Sequence, residues 1–169
     1  AGAWKGLKDL YAAGFIDRLP RLISVQAEGC CPINRAIQTG EPWRPMEENT
    51  LADSIAVGVP RNPDKALNAI RESDGVAVNV SDGEILDAMR LLGRTQGVFG
   101  EPAGVTGTAG VKKALELGLI SPEATVVSIV TGNGLKDVEP GIRAAGEPLV
   151  VPSDMDALLS AFAEAGIAP

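Results

Sequence analysis

The chain has 169 residues, 45% of them hydrophobic but only 4% aromatic, enough for one buried core in a single domain and better suited to helices packed closely on a sheet than to an all-β sandwich. Its net charge of -7, with 15 scattered basic residues, leaves no electrostatic footprint for nucleic acid, and no apolar run approaches the about 18 residues needed to cross a bilayer; the expectation is a soluble, cytoplasmic protein. There is no histidine, which excludes Ser-His-Asp and Cys-His catalysis and most zinc sites, so any chemistry must come from a cofactor, a lysine or carboxylates.

The first segment, Ala1 to Ala13, carries Trp4, Leu7, Leu10 and Tyr11 at helical spacing and stops at Gly14, as a C-terminal cap would. A helix already under way at residue one, without an initiator Met, suggests that something upstream has been removed or belongs to another chain. Arg21 to Ala27 is rich in β-branched residues and predicts a strand, followed by a short helix from Pro32 through Ile37 to Gly40. The adjacent Cys30 and Cys31 would make a strained disulfide and offer no second pair for a metal, so they are expected to be two reduced, small side chains. Glu41 to Asn49 holds Pro42, Trp43 and Pro45 and is irregular, and Thr50 to Gly58 has no assigned type.

Asn62-Pro63 marks the start of a helix to about Glu72, and Gly75 releases a strand over Val76 to Val80. Ser81 and Glu84 form a capping box for a helix carrying Ile85, Leu86, Met89 and Leu92, with Gly97 beyond it. After a loop at Gly100 to Gly104, a Gly/Ala/Thr-rich helix runs to Leu117 and Gly118, and Thr125 to Thr131 predicts a strand apolar on both faces. A last amphipathic helix spans Asp154 to Ala165 with Ser153 as cap. Apolar strands alternating with helices predict an α/β fold, a parallel sheet with helices on both faces and with Val76 to Val80 and Thr125 to Thr131 in one sheet. Ligands of such sheets sit beyond the strand C-terminal ends, where Thr131 is followed by Gly132-Asn133-Gly134.

Four segments carry a resemblance: AWKGLKDLYAAGFIDRLPRLISVQAEG, LADSIAVGVPRNPDKALNAIRESDG, VFGEPAGVTGTAGVKKALELGLI and VVSIVTGNGLKD. In order and spacing they resemble consecutive blocks of threonine synthases, enzymes of the tryptophan-synthase-β-like, fold-type II pyridoxal-phosphate family. The resemblance covers most of Ala3 to Asp137 and implies that residues 1–169 are the C-terminal part of a single pyridoxal-phosphate domain. It implies pyridoxal 5'-phosphate as cofactor, Thr131 as the hydroxyl that hydrogen-bonds the pyridine nitrogen, and Glu101 of the EPAG loop as a cofactor-binding glutamate. It also places Ala52, Asp53 and Ser54 near the ring through backbone contacts.

The family's Schiff-base lysine, in a segment resembling SFKDRG, and its phosphate loop have no counterpart among these residues. No catalytic residue is therefore assigned, and the chain alone is expected to be inactive. Lys136 reads as a structural or solvent-facing charge. The resemblance further implies conversion of O-phospho-L-homoserine and water to L-threonine and phosphate, an N-terminal part of the same enzyme as partner, and a homodimer. Asn133 stands where many relatives have histidine, and Gly104-Val105 where many have EPASAA, which leaves a serine or threonine dehydratase of the same fold as an alternative; a non-catalytic assembly module is the other.

Overall fold

A computed structural model describes residues 1–146, 148–151 and 153–167. The first helix, Gly2–Ala12 (α1), ends where Gly14 takes φ +76. The Gly14 N–H then donates to the Tyr11 carbonyl and the Phe15 N–H to that of Leu10, a Schellman closure that only a residue without a Cβ adopts cheaply. Trp4 is buried, and its indole N–H donates to a Glu72 carboxylate oxygen at 2.7 Å that also accepts from Lys8 at 2.9 Å. Those two donors hold the Glu72 carboxyl below its ordinary pKa.

Ile23–Ala27 (β1) and Val76–Val80 (β2) form a parallel pair with Ile23 opposite Val76 and Ala27 opposite Val80. Between them run Pro32–Thr39 (α2), ended by Gly40 in the left-handed region, a 3-10 turn at Asp53–Ile55, and Pro63–Glu72 (α3). Beyond β2, Asp82–Gln96 (α4) opens on the expected capping box. The Ser81 hydroxyl accepts from the Glu84 N–H, and the Glu84 carboxylate accepts from the Ser81 N–H at 2.7 Å. Pro102–Glu116 (α5) follows.

The two faces of the sheet differ in chemistry. Val78, Val80 and Ala27 are buried and join Ile85, Met89, Val105 and Ala109 in the main core. Gly110 of α5 lies so close to Val25 that a Cβ there would overlap its methyl groups, so the small residues of α5 are what bring that helix down onto the sheet. The opposite face presents Ser24, Gln26 and Asn79 to α2. There the fully buried Asn34 donates through its amide nitrogen to the Val78 carbonyl (2.9 Å) and Asn79 Oδ1 (2.7 Å), while its backbone N–H donates to Gln26 Oε1 (2.9 Å). Helices thus cover both faces, but β1 and β2 alternate apolar and polar positions instead of being apolar throughout, because one face packs on a helix that brings its own amide.

Four local expectations differ from the structure. Thr125 to Thr131 has no regular secondary structure and is not a strand: it pairs with neither β1 nor β2, and Val127 and Ile129 are 85% and 73% exposed. Its β-branched residues favour extended backbone, yet among the described residues no neighbour runs beside it to supply a ladder. The loop expected at Gly100 to Gly104 is shorter, because Pro102 at the first helical position needs no N–H partner and starts α5 there. An unexpected helix, Val138–Ala145 (α6), carries Pro140 in its first turn, where the missing N–H costs nothing. Arg90 of α4 donates to the Ala144 and Arg143 carbonyls at its end. Finally Met155–Glu164 (α7) is capped by Asp154, whose carboxylate accepts from the Ala157 N–H at 2.9 Å, and not by Ser153; no residue of α7 is buried. No helix among the described residues is long and apolar enough to cross a membrane.

Candidate functional site at the start of α5

The segment before α5 is zipped to the turn that follows Thr131. Gly134 donates to the Phe99 carbonyl and Glu101 to the Gly132 carbonyl, both at 2.9 Å, and Gly100 and Asn133 form an antiparallel bridge. Glycine makes this approach possible. A Cβ on Gly104 would stand 2.9 Å from the Gly132 nitrogen and 3.3 Å from that of Thr131, one on Gly134 would stand 2.6 Å from the Phe99 ring, and one on Gly132 would overlap the Glu101 carboxylate. The EPAG and TGNG segments therefore interlock backbone to backbone, with the Glu101 side chain filling the space a Cβ on Gly132 would need.

Glu101 is 5% exposed and occupies the N-cap position of α5, but its carboxylate accepts no helix N–H. It turns instead to Lys136, whose ammonium lies 3.1 Å from one carboxylate oxygen and donates to the other at 3.4 Å. The N-terminal dipole of α5 favours a negative charge at this end. Lys136 also donates to the Ser54 hydroxyl at 2.9 Å. A 3-10 turn, Gly134–Lys136, aims the lysine, and Asn133 starts that turn by accepting the Leu135 N–H at 2.9 Å on its side-chain oxygen. Asn133 thus has a structural task of its own.

Of the residues singled out in the sequence, Thr131 is exposed, next to the side-chain-free Gly132, and Glu101 is buried one hydrogen bond away along the backbone. Ala52 is fully buried, and the chain before it is fastened to the start of α4: the Leu51 N–H donates to the Asp82 carboxylate, as does the Thr50 hydroxyl. Ser54 meets Lys136 through its side-chain hydroxyl. Lys136 has a larger part than its sequence context suggested: although 63% exposed, it is the cation on a buried carboxylate. Its partners lie 35 and 82 positions away, and no local spacing signals such a contact.

A second polar knot lies off this site. Lys113 of α5 bridges Glu84 (2.9 Å) and Glu28 (3.1 Å). Burial acts to raise the Glu84 carboxyl, but the Ser81 backbone N–H and Lys113 outweigh it and bring it below its ordinary pKa. Cys30 and Cys31 are buried, and burial pushes both thiols up, keeping them neutral and poorly nucleophilic. Among the described residues no cluster of three metal-binding side chains occurs.

A planar heterocycle with a basic ring nitrogen fits the donor set at the turn. Thr131 offers a neutral, exposed hydroxyl, Gly132 adds no side chain beside it, and the neighbouring carboxylate is already neutralised by Lys136.

Comparison with known proteins identifies the family to which the chain belongs. The family described as "Pyridoxal-phosphate dependent enzyme" matches residues 1–132. Threonine synthase of Methanosarcina acetivorans is 44% identical over 161 residues, covering 94% of this chain and 40% of that protein. The threonine synthase of Methanocaldococcus jannaschii is 43% identical over 159 residues (92% and 39%), and that of Mycobacterium leprae 39% over 155 (92% and 41%). The chain therefore spans about two fifths of the length of the curated relatives it matches. Among solved structures, the serine racemases of Dictyostelium discoideum (TM-score 0.55, 22% identity, 72% of this chain and 37% of that one) and maize (TM-score 0.54, 22%, 73% and 36%) share the fold. With a family match across residues 1–132 and this fold, the chain belongs to the pyridoxal-phosphate-dependent enzymes.

Proposed function

We propose that residues 1–169 are the C-terminal part of the pyridoxal-phosphate domain of a threonine synthase, which converts O-phospho-L-homoserine and water to L-threonine and phosphate. The observation that carries this is the convergence of three separate blocks, through Ser54, Glu101 and Lys136, on the turn that presents Thr131. Identities of 39 to 44% to proteins named threonine synthase support the choice of substrate.

When bound, pyridoxal phosphate supplies an electron sink for negative charge at the substrate α-carbon. Thr131 would donate its neutral hydroxyl to the ring nitrogen, a partner that, unlike a carboxylate, would not hold that nitrogen protonated. Glu101 holds the Thr131 turn against α5, and its charge is spent on Lys136, so the ring edge meets a hydroxyl and backbone and no free carboxylate. The remaining part of the enzyme supplies the lysine that moves protons and the phosphate-binding loop, and the working form is a cytoplasmic homodimer.

The test is made on the whole protein with O-phospho-L-homoserine. Equimolar phosphate and L-threonine, released only when pyridoxal phosphate is present, is the expected outcome. Deamination of L-serine or L-threonine with no phosphate released from O-phospho-L-homoserine would place the protein with the dehydratases of the fold instead. In that assay Thr131→Val keeps the β-branched shape and removes the hydroxyl, and weakens cofactor binding by about 0.5–1.5 kcal/mol.

A further inference from the structure

Glu101 has an unusual position for a charged group: its side chain is 6% exposed, and the cation that touches it belongs to a lysine 63% exposed on another loop. A carboxylate taken out of water needs a compensating charge, and losing the single partner costs far more than losing a surface pair. The same ammonium reaches the Ser54 hydroxyl at 2.9 Å. One exposed group therefore ties together three segments that lie far apart in the chain.

Mechanically, the Glu101 side chain is stacked where a Gly132 Cβ would be, and its N–H holds the Gly132 carbonyl at 2.9 Å. Gly132 is the residue after Thr131. Whatever fixes the Glu101 carboxylate therefore also bears on the Gly132 turn beside Thr131. We propose that Lys136 is a positioning residue: by clamping the Glu101 carboxylate and the Ser54 hydroxyl it sets the Gly132 turn that presents Thr131. The link from that turn to the cofactor rests on the function proposed above, whereas the clamp itself does not.

The experiment uses the whole protein and three variants, Lys136→Met, Lys136→Arg and Glu101→Gln, with Lys112→Met as a control that removes an exposed ion pair to Glu116 on α5. Hydrogen exchange without cofactor reads the clamp. In Lys136→Met the amides of Glu101 and Gly134 exchange about tenfold faster or more, those of β1 and β2 are unchanged, and Lys136→Arg restores protection. Equilibrium binding of pyridoxal phosphate then reads the consequence. Lys136→Met weakens it about tenfold, the arginine variant and the Lys112→Met control bind as the parent does, and adding Lys136→Met to Glu101→Gln brings no further loss because both act through one contact. Unchanged exchange at Glu101 and Gly134 in Lys136→Met overturns the clamp. Loosened exchange with parental cofactor binding, or independent multiplying losses in the double variant, overturns its positioning role. A parent that loosens on Lys136→Met yet binds no pyridoxal phosphate leaves the clamp standing and defeats the cofactor function instead.

Discussion

Two stretches of this chain have nearly the same composition and opposite fates. Val76–Val80 reads VAVNV, is hydrogen-bonded to β1, and has Val78 and Val80 at 2% and 0% exposure. Thr125 to Thr131 reads TVVSIVT, forms no strand, and leaves Val127 and Ile129 largely in solvent. Both are rich in β-branched residues, which prefer extended backbone. The difference lies in neighbours: β2 has β1 on its edge, α5 on one face and α2 on the other, whereas the later stretch touches α5 along one side, with Ser128 against Gly107, Thr131 against Gly104 and Val130 packed on the core. An apolar ribbon is a request for cover, and a strand forms only where a partner answers it.

The sharpest way to break the comparison is at the core that covers β2. Ile85 is fully buried among Val78, Val80 and Val105, so Ile85→Ala is expected to destabilise by about 2–5 kcal/mol through lost transfer energy and a residual cavity, seen as a lowered denaturant midpoint. A loss under that range would mean the site collapses around the gap.

Next in size is Gly132→Ala. The new methyl overlaps the Glu101 carboxylate, and the overpacked turn should cost about 1–3 kcal/mol and expose Glu101 amide hydrogen exchange. Preserved protection there would show that the Glu101 side chain can move aside freely.

Ser81→Ala removes the hydroxyl half of the α4 capping box and should cost about 1 kcal/mol. Its partner carries a pH signature. Because the folded-state pKa of Glu84 is depressed, the unfolded chain binds more protons between the two values, so stability from this group is present above the ordinary carboxylate range and lost as pH falls through the folded value. In Glu84→Gln the acid side of the stability profile should flatten, and an unchanged slope would assign the acid sensitivity elsewhere.

The smallest effect is expected at Ile129→Ser in the chain as it stands, within about 0.5 kcal/mol because the side chain is already in water. Inside the whole protein the same substitution should cost as much as a buried one, about 1 kcal/mol or more, if the stretch finds its partner there. Equal, negligible effects in both settings would mean that the ribbon stays uncovered.

What the residues determined by themselves is the local structure whose causes are local. Gly14, Gly40 and Gly97 end their helices with positive φ, Pro63 and the Ser81–Glu84 pair start theirs, and Ile23–Ala27 and Val76–Val80 are extended, because caps, prolines and β-branched runs act over a few residues. Thr131 and Glu101 were singled out as neighbours in function by resemblance, not by any spacing that could bring them together. Only the tertiary structure decided that Asn34 would make one face of the sheet polar, that Thr125 to Thr131 would stay unpaired, and that Lys136 would close on Glu101 and Ser54. Each of these depends on a partner tens of positions away, and the energy of a buried amide or carboxylate is set by which group stands opposite it, a quantity that no window of sequence contains.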